Sequence, residues 1–267
     1  MFKTNKTLDR LNNLVDNAID GKPLETSFDE TKVSQIESKL HKFLLANGSK
    51  KEQITEEKSR IDTLISDISH QTKTPLANIL LYTELLAESK VELDREQHAI
   101  LLQQQTKKLQ FLIDSLVKTS RLENGIIVPS VKMQAINNLL ANIKTSFPQT
   151  SILHTECNAS YDLKWASEAL ENIVDNAYKY GATEVIVSVT AYEMFCRIDI
   201  QDNGIGIEES EIPKIFTRFY RSPQVAEKDG VGIGLYLSRE IISKQGGYIK
   251  VQSTLGKGSV FSVFLPR

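Results

Sequence analysis

Residues 61–86 read IDTLISDISHQTKTPLANILLYTELL, and their spacing decides the architecture of the first half of the chain. Ile61, Ile65, Ile68, Thr72, Pro75, Ile79, Tyr82 and Leu86 recur at alternating steps of four and three, the seam of a coiled coil or four-helix bundle. Polar, loop-like residues follow from Glu88 to Asp94. A second helix is expected from about His98 to Leu122, carrying Leu102, Leu109, Leu112, Leu116 and Val117. One helical hairpin has few inward residues, whereas two side by side make a four-helix core. The spacing therefore predicts a homodimer.

Glycine marks where this architecture ends. Only Gly21 and Gly48 of the 13 glycines precede residue 125, so turns and strands belong to the second half. There, Ile126 to Met133 reads as a strand, Ala135 to Thr145 as a helix, Ser151 to Thr155 as a strand and Trp165 to Tyr180 as a helix. Val185, Val187 and Val189 alternate along a strand, and Arg197 to Asp202 forms another. Gly234 to Gln245 is helical. Tyr248 to Ser253 and the alternating Phe261, Val263 and Leu265 pair across the turn Gly256-Lys257-Gly258. The expected fold is α+β: a helical hairpin forming a dimeric four-helix bundle, then a mixed sheet covered by helices on one face.

Before the hairpin, Leu8, Leu11 and Val15 suggest one short amphipathic helix, and Val33, Ile36, Leu40 and Phe43 another, with a break at Gly21-Lys22-Pro23. The pattern suits a signal relay and a passive dimerisation extension equally.

Composition excludes several functions. The chain has 267 residues with 32 Lys and Arg against 34 Asp and Glu, a formal net charge of −2. No basic excess exists for neutralising phosphates, so no nucleic-acid partner is expected. No apolar run approaches the roughly 18 residues that cross a bilayer, and the first residues lack the apolar stretch of a secretory signal. A soluble chain without direct membrane contact is expected. Cys157 and Cys196 lie outside any Cys-x-x-Cys spacing, and read as small buried apolar residues in a reducing compartment.

Chemistry concentrates in four places. His70 lies two residues beyond Ile68, about 200° around the helix, and so points away from the seam. Thr74 lies one turn on, on the same face, and Pro75 removes a backbone donor there. A neutral imidazole exposed on a strainable helix suits attack on a phosphoryl group; His41, His98 and His154 read as ordinary surface or core histidines. Asn172, Asn176, Lys179 and Tyr180 form a polar stripe opposite Leu170, Ile173, Val174 and Ala177. Such a face can hold a hydrated magnesium ion and phosphates, although an ordinary amphipathic helix can show it too. Asp202-Asn203-Gly204-Ile205-Gly206-Ile207 places a carboxylate at a strand end, where it can accept a hydrogen bond from an exocyclic amine. Gly230-Val231-Gly232-Ile233-Gly234-Leu235 opens a helix whose first amides favour phosphate. Each glycine cluster taken alone is compatible with a turn; the ordered set is more specific.

From about residue 55 to 267 the chain resembles the catalytic core of a bacterial two-component sensor histidine kinase. His70 to Pro75 resembles its phosphoacceptor box, Asn172 to Tyr180 its asparagine box, and Asp202 to Ile207 its first glycine box. Ile215 to Arg221 resembles the phenylalanine box, Gly230 to Leu235 the second glycine box, and Gly256 to Phe261 the last. Residues 18–40 more weakly resemble a HAMP-type linker. The resemblance implies domains at 1–52 (signal-relay linker), 53–125 (dimerisation and histidine phosphotransfer) and 126–267 (ATP binding).

It also implies roles. His70 takes the γ-phosphoryl group of ATP. Asn176 coordinates Mg2+ with Asn172 in support, and Lys179 and Tyr180 contact the nucleotide. Asp202 reads the adenine amine, beside Gly204, Gly206 and Ile207. Residues 208–229 form a lid in which Phe219 and Tyr220 pack, and Gly230, Gly232, Gly234 and Leu235 cradle phosphates. Arg221, with Arg218, offsets γ-phosphate charge during transfer. A response regulator aspartate then receives the phosphoryl group, and Thr74 orients water for the reverse dephosphorylation. Such kinases are cytoplasmic or are the cytoplasmic portion of membrane-bound sensors.

One departure stands out. Many members carry an acidic residue after the histidine; this chain has Gln71, which accepts a hydrogen bond but holds no proton near neutral pH. A gyrase, Hsp90 or MutL type of ATPase shares the nucleotide fold, but its glutamate base is replaced by Asn172, and Glu171 is about 100° off. A degenerate kinase acting as a dimeric scaffold is the other alternative.

Overall fold

A computed structural model describes residues 32–89, 91–153, 156–225, 228 and 230–267; before residue 61 it describes side chains only at 42, 54, 55, 58 and 59. The expected helix at Leu8 to Val15, the break at Gly21 and most of the HAMP-like stretch lie outside these residues, as does His154. The chain divides into two compact units, one ending at Ile68 and one spanning Ser69–Arg267.

Among the described residues two helices come first: α1 (Lys32–Glu88) and α2 (Glu92–Glu123). The second starts earlier than His98, because Glu92 and Asp94 complement the positive end of its first turn. Within the second unit the expected seam holds: Pro75 is buried, and Thr72, Ile79, Tyr82 and Leu86 are half-buried. Asn78 Nδ2 donates to Gln105 Oε1 at 3.5 Å, and the Tyr82 and His98 rings stack 6.5 Å apart. These pairs set the antiparallel register of the hairpin. A second apolar face stays open, with Leu76 at 51%, Leu80 at 59%, Ile113 at 49% and Val117 at 43% exposure.

After α2 come β1 (Lys132–Ala135), α3 (Asn137–Ser146), β2 (Ser151–Leu153), β3 (Asn158–Tyr161), α4 (Leu163–Lys179), β4 (Val185–Ala191), β5 (Phe195–Asp202), α5 (Gly234–Ser243), β6 (Tyr248–Thr254) and β7 (Gly258–Pro266). The sheet order is β2-β4-β5-β7-β6, with β2 parallel to β4 and the other pairs antiparallel. Valines 185, 187 and 189, with Cys196, Ile198, Ile200, Phe261, Val263 and Leu265, are buried on one face. That is the period of two the sequence shows. Helices α3, α4 and α5 bury Leu140, Leu170, Ile173 and Ile241 in the same core.

One expectation changes. The strand at 126–133 is displaced to Lys132–Ala135, and Ile126 and Val128 stay exposed. The turn after α2 explains this: Gly125 adopts φ 67°, and Ile127 N bonds back to Arg121 O at 3.0 Å, consuming residues that extended pairing needs. The partner strand β3 turns Ala159 and Tyr161 inward over only four residues and pairs antiparallel with β1; the Tyr161 hydroxyl donates to Ala135 O at 2.6 Å. Asp162 caps α4 by accepting from Trp165 N at 3.2 Å.

Candidate functional site

A cleft of about 740 Å³, counted to its open mouth, lies between α4, the end of β5 and the segment before α5. Helix α4 contributes Asn176, Ala177 and Tyr180; the β5 end contributes Asp202, Gly206 and Ile207; α5 contributes Leu235. Tyr220 and Arg221 line the opposite wall. The polar stripe on α4 is placed because its opposite face, with Leu170, Ile173 and Val174, is buried.

Asp202 ends β5, in register with Val185 on one side and Ser259 on the other. Its Oδ1 accepts from Gly204 N at 2.8 Å. Burial raises its carboxyl above the usual carboxylate range, while hydrogen bonds from Gly204 and Ser259 pull the other way. Ile207 N donates to Ser253 Oγ at 2.8 Å, and that hydroxyl also contacts Ser259 Oγ at 2.9 Å. The loop after Asp202 is thus tied to the β6–β7 pair.

Lys179, Asn172, Gly204, Gly230, Gly232 and Gly234 are not among the cleft-lining residues. Any Cβ at Gly230 would overlap Lys179 Nζ, so glycine there admits the ammonium against the backbone. The Asn172 side chain lies against Gly234, 3.9 Å from where a Cβ would sit. Gly234 opens α5, whose first amides carry positive partial charge. The donor set suits a magnesium nucleotide: amide oxygens at Asn172 and Asn176, the Lys179 ammonium, and the half-buried Asp202 carboxylate.

The described part of the expected lid comprises two 3-10 turns, Glu209–Glu211 and Pro223–Val225, with loops between. Residues 226, 227 and 229 lie outside the described residues. Tyr220 OH donates to Glu211 Oε1 at 3.0 Å. Arg221 lines the cleft, but its Nη2 donates to Val225 O at 2.8 Å and to Lys228 O. Arg218, expected beside the phosphates, is not among the cleft-lining residues; its Nη2 donates to Glu123 and to Tyr236 OH. Nothing local in the phenylalanine box reveals that partner, which lies 95 residues away.

His70 is exposed on α1, Thr74 is exposed one turn on, and Gln71 is half-buried. The helix continues through Pro75, whose missing N–H leaves the Gln71 carbonyl without its helical donor. Glu211, Ser222, Gln224, Val225 and Ser259 also line the cleft and were not expected there. Position within the lid signals the first four. Ser259 belongs to the last glycine box, and strand register sets it opposite Asp202.

Residues 60–125 match the family model for the His Kinase A (phospho-acceptor) domain. Residues 161–267 match that for the histidine kinase-, DNA gyrase B- and HSP90-like ATPase. The Sensor protein SrrB of Staphylococcus aureus is 30% identical over an alignment of 219 residues that covers 76% of this chain and 37% of SrrB; the chain spans little more than a third of that relative. The fold is similar to the histidine kinase AdeS of Acinetobacter baumannii, with TM-score 0.60 and 18% identity over 74% of this chain and 97% of that one. It is also similar to the histidine kinase ThkA, solved in complex with response regulator protein TrrA, with TM-score 0.63 and 18% identity over 82% and 66%.

Proposed function

Because the chain carries the catalytic core of a two-component sensor histidine kinase, we propose that it phosphorylates itself on His70 from ATP and passes the phosphoryl group to an aspartate of a response regulator. The observation that carries this reading is the pairing, in one chain, of an exposed imidazole on the hairpin with a cleft lined by Asn176, Asp202 and Arg221.

Asp202 accepts from the adenine amine, and Tyr180 and Leu235 flank the base. Asn176 and Asn172 hold magnesium, which neutralises phosphate charge when bound. Lys179 and the α5 N-terminus hold the phosphates. An imidazole nitrogen of His70 attacks the γ-phosphorus in line; the N–P bond forms, the bond to the bridging oxygen breaks, and ADP leaves. The proton of the attacking imidazole passes to water, because Gln71 holds none. Arg221 turns from its own loop onto the transferred group. Thr74 orients water against the regulator's phospho-aspartate.

The domain boundaries near residues 52 and 125, and a cytoplasmic site of action, belong to the same proposal. No helix of the described residues is long and apolar enough to cross a membrane. A second copy of the hairpin covers Leu76, Leu80, Ile113 and Val117. The ATPase alternative has no support from Glu171, which accepts from Ser146 Oγ at 2.9 Å and does not line the cleft.

The test uses γ-labelled ATP with the wild type and His70→Ala. Acid-labile, base-stable protein phosphate that the variant lacks is the expected result. Free phosphate without labelled protein would mean an ATPase, and neither product would mean a scaffold.

A further inference from the structure

The last turns of α2 do not stand free of the nucleotide module. Leu112, Ser115, Thr119 and Leu122 are buried on one stripe of the helix, and Leu112 and Leu122 belong to the same core as α4 and α5. Lys118 Nζ adds an ion pair with Glu168 Oε1 on α4 at 2.6 Å. At the very end of α2, Glu123 Oε1 accepts from both Arg218 Nη2 and Tyr236 OH. Arg218 also donates to Tyr236 OH at 2.9 Å, and its guanidinium lies 4.7 Å above the Tyr236 ring. The group is half-buried, at 22% exposure for the Arg218 side chain and 29% for Glu123. Burial together with the hydrogen bond to Glu123 pushes the Tyr236 hydroxyl up to about 12. A part-buried charge pair of this kind is screened little by solvent.

Its position matters more than its strength. Glu123 closes the helix immediately before the Asn124-Gly125 turn, where the chain must bend for the nucleotide module to move. Arg218 is joined directly to Phe219, the one described non-glycine residue with positive φ, at 61°, and Phe219 N is held by Gly232 O at 2.9 Å. Arg221 follows two residues later, with its Nη2 on the carbonyls of Val225 and Lys228 and its Nε buried without a partner. While Glu123 holds Arg218, Arg218 does not line the cleft, and Arg221, which does, keeps its Nη2 bonded within its own loop.

We propose that Glu123, Arg218 and Tyr236 form a latch that fixes the nucleotide module on the end of α2 and keeps Arg221 turned into its own loop, so that phosphoryl transfer waits on its release. Arg218 is then a positioning residue acting through Arg221. The proposal rests on the kinase reading above. Breaking the latch leaves the adenine end of the cleft untouched and shifts the population toward the released arrangement.

The experiment measures single-turnover autophosphorylation at saturating ATP, affinity for a fluorescent adenine nucleotide, and amide hydrogen exchange over residues 119–129, all on the full chain. Glu123→Gln should raise the rate about fivefold, keep nucleotide affinity within about twofold and speed exchange across the turn. Glu123→Arg combined with Arg218→Glu should return the rate toward wild type, which a merely structural role would not produce. A rate equal to or below wild type in Glu123→Gln, or a rise without faster exchange, overturns the latch. If Glu123→Gln does not fold, Tyr236→Phe, which removes one hydroxyl, decides by the same criteria. A wild type that puts no phosphate on His70 counts against the kinase reading alone, and the exchange data still decide the latch.

Discussion

Phe219 holds its backbone in the left-handed region because its N–H is donated to the carbonyl of Gly232, 2.9 Å away. Gly232 itself has φ 74°, and a Cβ there would meet Tyr220 O at 2.7 Å and Phe219 Cα at 3.0 Å. The two glycine-box and phenylalanine-box segments are thus one unit of backbone that shapes the cleft wall.

Gly232→Ala should separate them. Positive φ and the collision together cost about 2 kcal/mol, read as a lower melting temperature. Nucleotide affinity should fall about tenfold, since Tyr220 and Arg221 lose their placement.

Asp202 gives opposite pH senses to folding and to binding. Its folded carboxyl is raised above the usual range by burial, so its contribution to stability is full below the unfolded value near about 3.9 and is lost as pH rises through the raised one. Adenine recognition needs the ionised form. As pH falls from neutral toward the raised value, titration calorimetry should show ATP affinity weakening as Asp202 protonates. Asp202→Asn should bind weakly throughout and lose that component of the pH profile.

Gln71 sits beside the nucleophile, half-buried, with its carbonyl unbonded by Pro75. Replacing it by glutamate supplies a group able to take the imidazole proton. Gln71→Glu should speed autophosphorylation about tenfold at neutral pH; an unchanged or lower rate with ATP affinity preserved refutes a missing base.

Thr74 is exposed on the same helical face as His70. Thr74→Ala should leave autophosphorylation intact and slow dephosphorylation of the regulator about tenfold. Equal loss of both activities would indicate damage to the helix.

Leu80 lies on the open apolar face of the hairpin. If a second copy covers it, Leu80→Asp buries an unpaired charge, and sedimentation should show a monomer where the wild type is a dimer. A wild type that is already monomeric at micromolar concentration removes the basis for the four-helix bundle.

The amino-acid sequence alone determined the hairpin, the alternating strands and the order of the boxes around the cleft. Each of these is a local pattern: burial repeats every two or every three to four residues, and turns need glycine at particular places. Pro75, Ile79 and Tyr82 face inward because the steps of four and three leave one stripe to bury. Tertiary structure alone decided that β3 pairs with β1, that Ser259 stands beside Asp202, and that Arg218 reaches Glu123 and Tyr236 instead of the cleft. A charged side chain carries no periodic signal, and its partner depends on which surfaces meet once the cores have formed.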